Sequence, residues 1–473
     1  MNTSRGEFQS KRPRLAIVLP RGEAYRNFVF TGCLKRLSEA FDLIVFAVRP
    51  NDRLFDDLKG YVETVHELEE SHRPWMVRFC EEILDMVHGR NLWSEAAKRR
   101  WYEQVRRGSF YKRVKMCLKH GLASVLFRMG GLGILSRIHE FLNLCFGVCL
   151  RDFEMLKQFR PELVFNASHS HSKNALGTMY AARKLNLSTV TFLFSWDNLT
   201  SQGRIYPLYD YYIAWTDRIC EDLLRLYPDV DPKRVCVTGT PQFDAHFDST
   251  FNWNREHFCR TVGLDASRPF VLYTTSMSHH FPHERLIIVG IAKMLEKMEE
   301  FESPQLFVRL YAKEHHPEYF EDLAKESPVI KMSPVQWERN WQTPLPEDSF
   351  VYSNSLRHCA VGINAASTVS LELCMLDKPT INVGYNPPGV DVSPKDYRVY
   401  YSWEHYKTVA ESGAIDVAWS ESEMDRLIRL SLKNPDRLTS DRARFTSAFF
   451  GDTLDGKSAV RVAEAVAEFA KDA

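Results

Sequence analysis

The chain has 473 residues, 44% of them hydrophobic and 26% charged, with 61 Lys plus Arg against 61 Asp plus Glu. At roughly 100–200 residues per domain there is room for two or three domains, and the mix excludes long disorder, collagen-like repeats and a disulfide-dense miniprotein. A zero formal net charge gives no ground for global nucleic-acid binding. The ten cysteines are scattered and form no CxxC pair, which predicts reduced, structural thiols in a cytosolic protein. Residues 1–14 are polar and lack the apolar core of a signal peptide. The longest apolar stretch, 141–150, falls far short of the ~20 residues that span a bilayer, so the chain is expected not to cross a membrane.

In chain order, residues 15–19 (LAIVL) are a β-branched apolar run, followed by a polar loop at 20–26, helical spacing over 28–40 and a second apolar run at 43–48 (LIVFAV). Strand, loop, helix, strand opens a parallel α/β unit. The unit recurs with strands at 163–166, 188–194, 211–215 and 234–238 and helices at 173–185 and 217–226. Residues 71–158 read almost entirely as helix. They are too many for one crossover and predict a helical insertion. Within it, 98–119 holds nine Lys or Arg and one acid, Glu103, with Trp93, Trp101, Tyr102, Phe110 and Tyr111 interleaved. After a mixed seam at 241–269 the rhythm restarts: strands at 270–273, 306–311, 358–363 and 379–383, helices at 284–298 and 369–376, and a last helix at 457–471. No internal repeat or low-complexity tract occurs.

Ligands of open parallel sheets bind beyond the carboxyl ends of the strands, so the loops there are the candidate sites. Residues 363–372 (INAASTVSLE) run from a buried strand through a small-residue loop into a helix. Helix N-termini favour phosphate, Ser367 and Thr368 add hydroxyls, and Glu372 is placed to accept the hydroxyls of a ribose. The alternative is an ordinary N-cap with Glu372 complementing the helix dipole. Lys313 and His316 follow the strand at 306–311, and Thr275 and Ser276 follow the strand at 270–273. The adjacent histidines lack metal-ligand spacing, so no metal is expected. Neither GxxxxGK[ST] nor GxGxxG occurs. In the first half, 166–174 (NASHSHSKN) and 195–203 (SWDNLTSQG) also lie at strand ends. Asp197 is the foremost candidate general base, followed by His169 and His171. Its alternative role is an Asx-turn that shapes the loop. Arg21, Glu23 and Arg26 follow the first strand and are candidates for the same cleft.

These stretches resemble the GT-B glycosyltransferase superfamily, and within it bacterial capsule and lipopolysaccharide glycosyltransferases and CDP-glycerol polymer transferases. His316-Pro317 is similar to their HP motif and Ser367-Thr368 to their SS or ST motif. Residues 195–203 are similar to a W-D-N-[LI]-[ST]-S-[KQ]-G segment. Asp455-Gly456-Lys457-Ser458 with Arg461 is similar to a DGK…R ending. The resemblance implies an α/β fold of two tandem Rossmann-like domains, GT-B type, with a helical insertion in the first. The division would be 1–245 with the insertion at about 71–158, then 246–456, and a helix at 457–473 packing back on the first domain.

The resemblance also implies a metal-independent transfer from a nucleotide-sugar donor to a glycan or lipid-linked acceptor, with no cofactor beyond that substrate. Ser367, Thr368, Glu372, Lys313, Thr275 and Ser276 would bind the donor. Arg21, Arg26, His171, Trp196 and Asn198 would bind the acceptor. Asp197, His316 and His169 would be catalytic. The glycine-rich loop of many such enzymes and an EX7E pair are absent, which leaves donor and stereochemistry open. The rival readings are a polyol-phosphate transferase, a nucleotide-sugar 2-epimerase of the same architecture, and a binding protein without activity. The basic aromatic segment at 93–119 is expected either to meet the inner face of the cytoplasmic membrane or to be a solvated helical face.

Overall fold

The structure is a computed structural model that describes residues 12–70, 72–106, 108–170, 173–314, 317–393 and 395–473. Among the described residues, seven parallel strands form the first sheet: β1 (Arg14–Leu19), β2 (Asp42–Ala47), β3 (Thr64–Glu67), β4 (Leu163–Asn166), β5 (Ser188–Phe192), β6 (Tyr211–Ala214) and β7 (Val235–Val237). Their order is β3-β2-β1-β4-β5-β6-β7. The second sheet begins with β8 (Phe270–Thr274), β9 (Gln305–Arg309) and β10 (Ile330–Met332). A small antiparallel ribbon follows, β11 (Trp337–Glu338) with β12 (Thr343–Pro344). The sheet is completed by β13 (Val361–Asn364), β14 (Thr380–Val383) and β15 (Asp416–Ala418), in the order β10-β9-β8-β13-β14-β15. Central strands such as β1 and β8 are apolar almost throughout because helices cover both sheet faces.

The helix expected over 28–40 is broken. A wide turn at Tyr25–Phe30 gives way to a helix only at Cys33–Ala40, with Gly32 between them in the left-handed region at φ 75°. The insertion between β3 and β4 comprises helices Trp75–Leu92, Glu95–Arg106, Phe110–Arg128 and Leu132–Phe146. Its own small core is Ile83, Met86, Val87 and Ala123. Helix Leu150–Phe159 then leads back to β4.

The chain ends in helix Ser458–Asp472, which packs on Cys33–Ala40 of the first half. Asp244 caps it from a distance, its carboxylate accepting from the Ser458 N–H (3.1 Å) and the Ala459 N–H (2.8 Å). Arg461 grips both oxygens of Asp455 at 2.8 and 2.9 Å and also donates to the carbonyls of Thr238 and Thr453. The D-G-K…R ending is therefore a clamp that ties the last helix to the end of β7. The described cysteines form no disulfide.

The two halves touch directly. Asn51 donates to Glu338 (3.2 Å), and Asn340 donates to the Pro50 carbonyl (3.1 Å). Gly22 lies so close to the ribbon that a Cβ there would stand 2.1 Å from Thr343 Oγ1 and 2.5 Å from the Trp341 carbonyl oxygen.

Candidate functional site

Each sheet reverses its strand order once, between β1 and β4 and between β8 and β13. Such a switch point opens a crevice at the carboxyl ends of the strands. The two crevices face each other and enclose a cleft of about 1030 Å³.

On the second-half wall, the loop after β13 carries Ala366 in the left-handed region at φ 44°, a conformation unusual for a residue with a side chain. Ser367 Oγ accepts from the Val369 N–H (3.3 Å), and the Ser367 N–H donates to Asn364 Oδ1 (3.3 Å). Thr368 Oγ1 accepts from Trp196 Nε1 of the opposite wall at 3.0 Å.

Glu372, one turn further on, is buried and engaged at both oxygens. Tyr352 OH donates to one at 2.7 Å, and His246 Nε2 lies 2.7 Å from the other. His246 Nδ1 lies 3.2 Å from Ser353 Oγ, so Glu372, His246 and Ser353 form a continuous buried chain. Burial, with Glu372 alongside, holds the Tyr352 phenol well above its ordinary value and keeps it a donor.

Thr275 Oγ1 accepts from the Tyr311 N–H (2.8 Å), and Ser276 Oγ donates to the Ala365 carbonyl (3.3 Å), so both tie strand ends together beside the cleft. Lys313 is ion-paired with Glu23 of the first half, which also pairs with Arg21. Burial and then the Arg21 charge push the Lys313 ammonium well below its ordinary value.

On the first-half wall, Arg26 donates to Gln242 (2.9 Å) and Asn27 (3.0 Å). Burial lowers its guanidinium, while Glu372, Tyr352 and Asp348 favour the charge. Asp197 lines the cleft with both oxygens taken, by Ser195 Oγ (2.5 Å) and Ser201 Oγ (2.7 Å). That is the geometry of a loop clasp.

The structure thus brings Arg26, Trp196, Asp197, Thr275, Ser276, Lys313, Ser367, Thr368 and Glu372 to one cleft. It sets three others behind the wall. Arg21 lies over the Phe194 ring at 4.6 Å, Asn198 accepts from Ser170 Oγ at 2.9 Å, and His169 accepts the Phe194 N–H at 3.2 Å. His171 and His316 lie outside the described residues.

Sequence reasoning missed His246, Tyr352 and His405, all of which line the cleft. His405 stands edge-on to Trp196, with centroids 5.3 Å apart. Burial lowers its pKa, and Asp197 and Glu404 pull the other way. Among the described residues no three His, Cys, Asp or Glu side chains converge as a metal site.

Behind the Thr275–Ser276 loop, Glu284 accepts from Tyr273 OH (2.9 Å) and the Ser276 N–H (3.0 Å). Burial outweighs both hydrogen bonds and pushes its carboxyl up to about 8. The folded protein then holds this proton where an unfolded chain, with a value near 4.5, has released it. Stability from this group is full below pH 4.5 and is lost as pH rises towards 8, by on the order of 5 kcal/mol. Glu284→Gln is expected to flatten the pH dependence of urea unfolding between pH 5 and 8. An unchanged slope would refute the assignment.

No protein-family model matches the chain, and no curated protein matches it either. Solved structures are similar over nearly its whole length. The S. aureus MnaA–UDP structure is 12% identical, with 97% of each chain covered and a TM-score of 0.54. The UDP-GlcNAc 2-epimerase from Neisseria meningitidis bound to UDP-GlcNAc is 10% identical, covers 96% of this chain and 100% of its own, and has a TM-score of 0.53. The UDP-GlcNAc 2-epimerase from Methanocaldococcus jannaschii is 13% identical, covers 95% and 99%, and has a TM-score of 0.52. Together with the two parallel sheets and the cleft between them, this likeness makes the architecture GT-B: two Rossmann-like domains, the first carrying a helical insertion.

Proposed function

We propose that the chain is a nucleotide-sugar enzyme that binds a UDP-sugar in the cleft between its halves, with the nucleotide against the loops after β8 and β13. The observation that supports this most is the pair of facing switch-point crevices, in a fold whose solved examples hold UDP and UDP-GlcNAc. Ser367 and Thr368 would donate their hydroxyl hydrogens to the phosphates, Lys313 would add its N–H groups, and Glu372 would meet the ribose. The substrate is the nucleotide sugar itself, and the reading calls on no resident cofactor or metal.

The first reading of the reaction is 2-epimerisation, favoured by the epimerases among the similar structures. A base removes the sugar C2 proton as the C1–O bond to UDP breaks, leaving a C1–C2 double bond. The sugar is restored when an acid protonates C2 from the opposite face and UDP bonds again to C1. The cleft offers His405 and the His246–Glu372 pair for these roles. The second reading is glycosyl transfer, in which an acceptor hydroxyl bonds to the anomeric carbon as the bond to phosphate breaks. The cleft volume favours it, because it stands at the upper end of the ~300–1,000 Å³ usual for one ligand.

A thermal-shift panel with UDP, CDP, CMP, GDP and dTDP tests the binding. A ligand at 100 times its dissociation constant adds about 2.7 kcal/mol to folded-state stability. UDP is expected to give the largest rise in melting temperature. Incubation with UDP-GlcNAc alone should then yield the C2 epimer on the first reading. Product that forms only with an added glycan or lipid-linked acceptor selects the second. No shift with any nucleotide and no turnover would defeat both.

A further inference from the structure

The helical insertion is apolar on its outer side as well as on the side that packs inward. Helix Leu132–Phe146 buries His139 and Asn143 while exposing Ile134, Ile138 and Phe141. Helix Phe110–Arg128 turns His120 and Ala123 inward. Its outer side carries Phe110, Val114, Leu118, Leu122 and Val125, with Met129 just beyond, each three or four residues from the next. That spacing places them on one face. Phe110 is 80% exposed, Leu118 71% and Met129 76%. Soluble monomers rarely leave so continuous an apolar surface in water.

The charge along this helix pair is mostly basic, with Glu140 paired to Arg183 and Glu82 of the neighbouring helix paired to Lys119. From Gln104 to His139 the sequence has no acid and eight Lys or Arg. The chain bends by 116° at the break between the two helices, and no single helix among the described residues is long and apolar enough to cross a membrane.

We propose that this helix pair docks in the surface of an anionic lipid bilayer. Its apolar stripes would lie at the boundary of headgroups and acyl chains, and its Lys and Arg side chains would reach the lipid phosphates. A second copy of the chain fits less well as the covering partner, because it would bring two cationic faces together.

The face overlaps the basic segment at 93–119 only from Phe110 onward. Residues 93–106 are occupied elsewhere: Arg90 lies over Trp93 (4.2 Å) and Trp101 (4.9 Å), Arg100 donates to the Ser201 carbonyl, and Arg99 lies over Tyr400 (5.1 Å). The apolar face begins at Phe110. The neighbouring helix Glu95–Arg106, packed on Phe110–Arg128, lines the cleft through Arg99 and Glu103, so docking would set the cleft beside the lipid surface. The inference stands whichever reaction the cleft performs.

Flotation of the full chain with phosphatidylcholine vesicles, with and without phosphatidylglycerol, tests it. The protein is expected to float with the anionic vesicles at low salt and less at high salt. Leu118→Glu with Phe141→Glu should reduce binding by at least about tenfold. The melting temperature should hold, because both side chains are exposed. Lys112→Gln, Arg113→Gln and Lys115→Gln together spare the apolar stripe, so they guard against a misfolded first variant. They should weaken binding to anionic vesicles only. Failure of the wild-type chain to float with anionic vesicles at low salt overturns the proposal. So does a dimer that Leu118→Glu disperses while no flotation occurs, since a second copy then covers the face.

Discussion

Glu372→Ala is expected to lower stability and activity together, whereas Glu372→Gln is expected to lower activity alone. The carboxylate is buried and accepts from Tyr352 OH and His246 Nε2, each at 2.7 Å. Alanine leaves two buried donors unmatched, at roughly 1–3 kcal/mol each. Glutamine keeps an oxygen for Tyr352 and turns an N–H towards His246. The imidazole can meet it by moving its hydrogen to Nδ1, where Ser353 Oγ is able to accept at 3.2 Å. The hydrogen bonds survive and the negative charge is lost. If that charge serves the reaction or the ribose, turnover should fall by about 10²–10³ while the melting temperature stays near that of the wild type. Turnover of the glutamine variant equal to wild type would remove Glu372 from the site. A purely structural role would show in the alanine variant only.

Gly22→Ala should separate the halves. Its methyl group would meet Thr343 Oγ1 at 2.1 Å, the Trp341 carbonyl oxygen at 2.5 Å and Thr343 Cα at 2.6 Å. Two of these atoms are backbone, so rotating the threonine side chain gives no relief. Overpacking of this kind typically costs 1–3 kcal/mol, or about as much in displaced backbone. Displacement would act on the contacts that close the cleft, Glu23 with Lys313 and Trp196 with Thr368. The expected result is a larger radius of gyration in solution scattering and a loss of turnover of at least about tenfold. Gly89→Ala is the control. Nothing lies within 4 Å of its added methyl group, and within helix Trp75–Leu92 the change should be neutral or stabilising by up to ~1 kcal/mol. Equal behaviour of the two variants would contradict the packing at Gly22.

The interior strands were readable because burial on both faces demands unbroken apolar runs, as in LAIVL and FVLY. Three of the four edge strands were not; β7 (VCV), which is wholly apolar, was. β3 (TVHE), β10 (IKM) and β15 (DVA) are short and half polar, and only neighbouring strands define them. Loop residues such as Ser367 and Thr275 could be placed because topology puts strand ends at a ligand crevice. His246 could not. It sits in a single tight turn after β7, 126 residues from the Glu372 it contacts, and no local pattern marks it. The insertion gave the opposite difficulty. Its apolar periodicity is plain, but periodicity does not say which of two apolar faces turns inward, and the polar His139 and Asn143 turned out to be the buried ones.

The bonds across the cleft also bear on how tightly any ligand is held. Thr368 Oγ1 is committed to Trp196, and Lys313 to Glu23. Thr368 keeps its own O–H, and the Lys313 ammonium its other N–H groups, to donate to a phosphate, but a ligand that needs the walls further apart must break both contacts. The measured affinity then equals the intrinsic affinity of the opened protein scaled down by the fraction of molecules that are open. A modest dissociation constant for this protein would therefore reflect how firmly its halves hold each other, as much as how well the open walls fit the ligand.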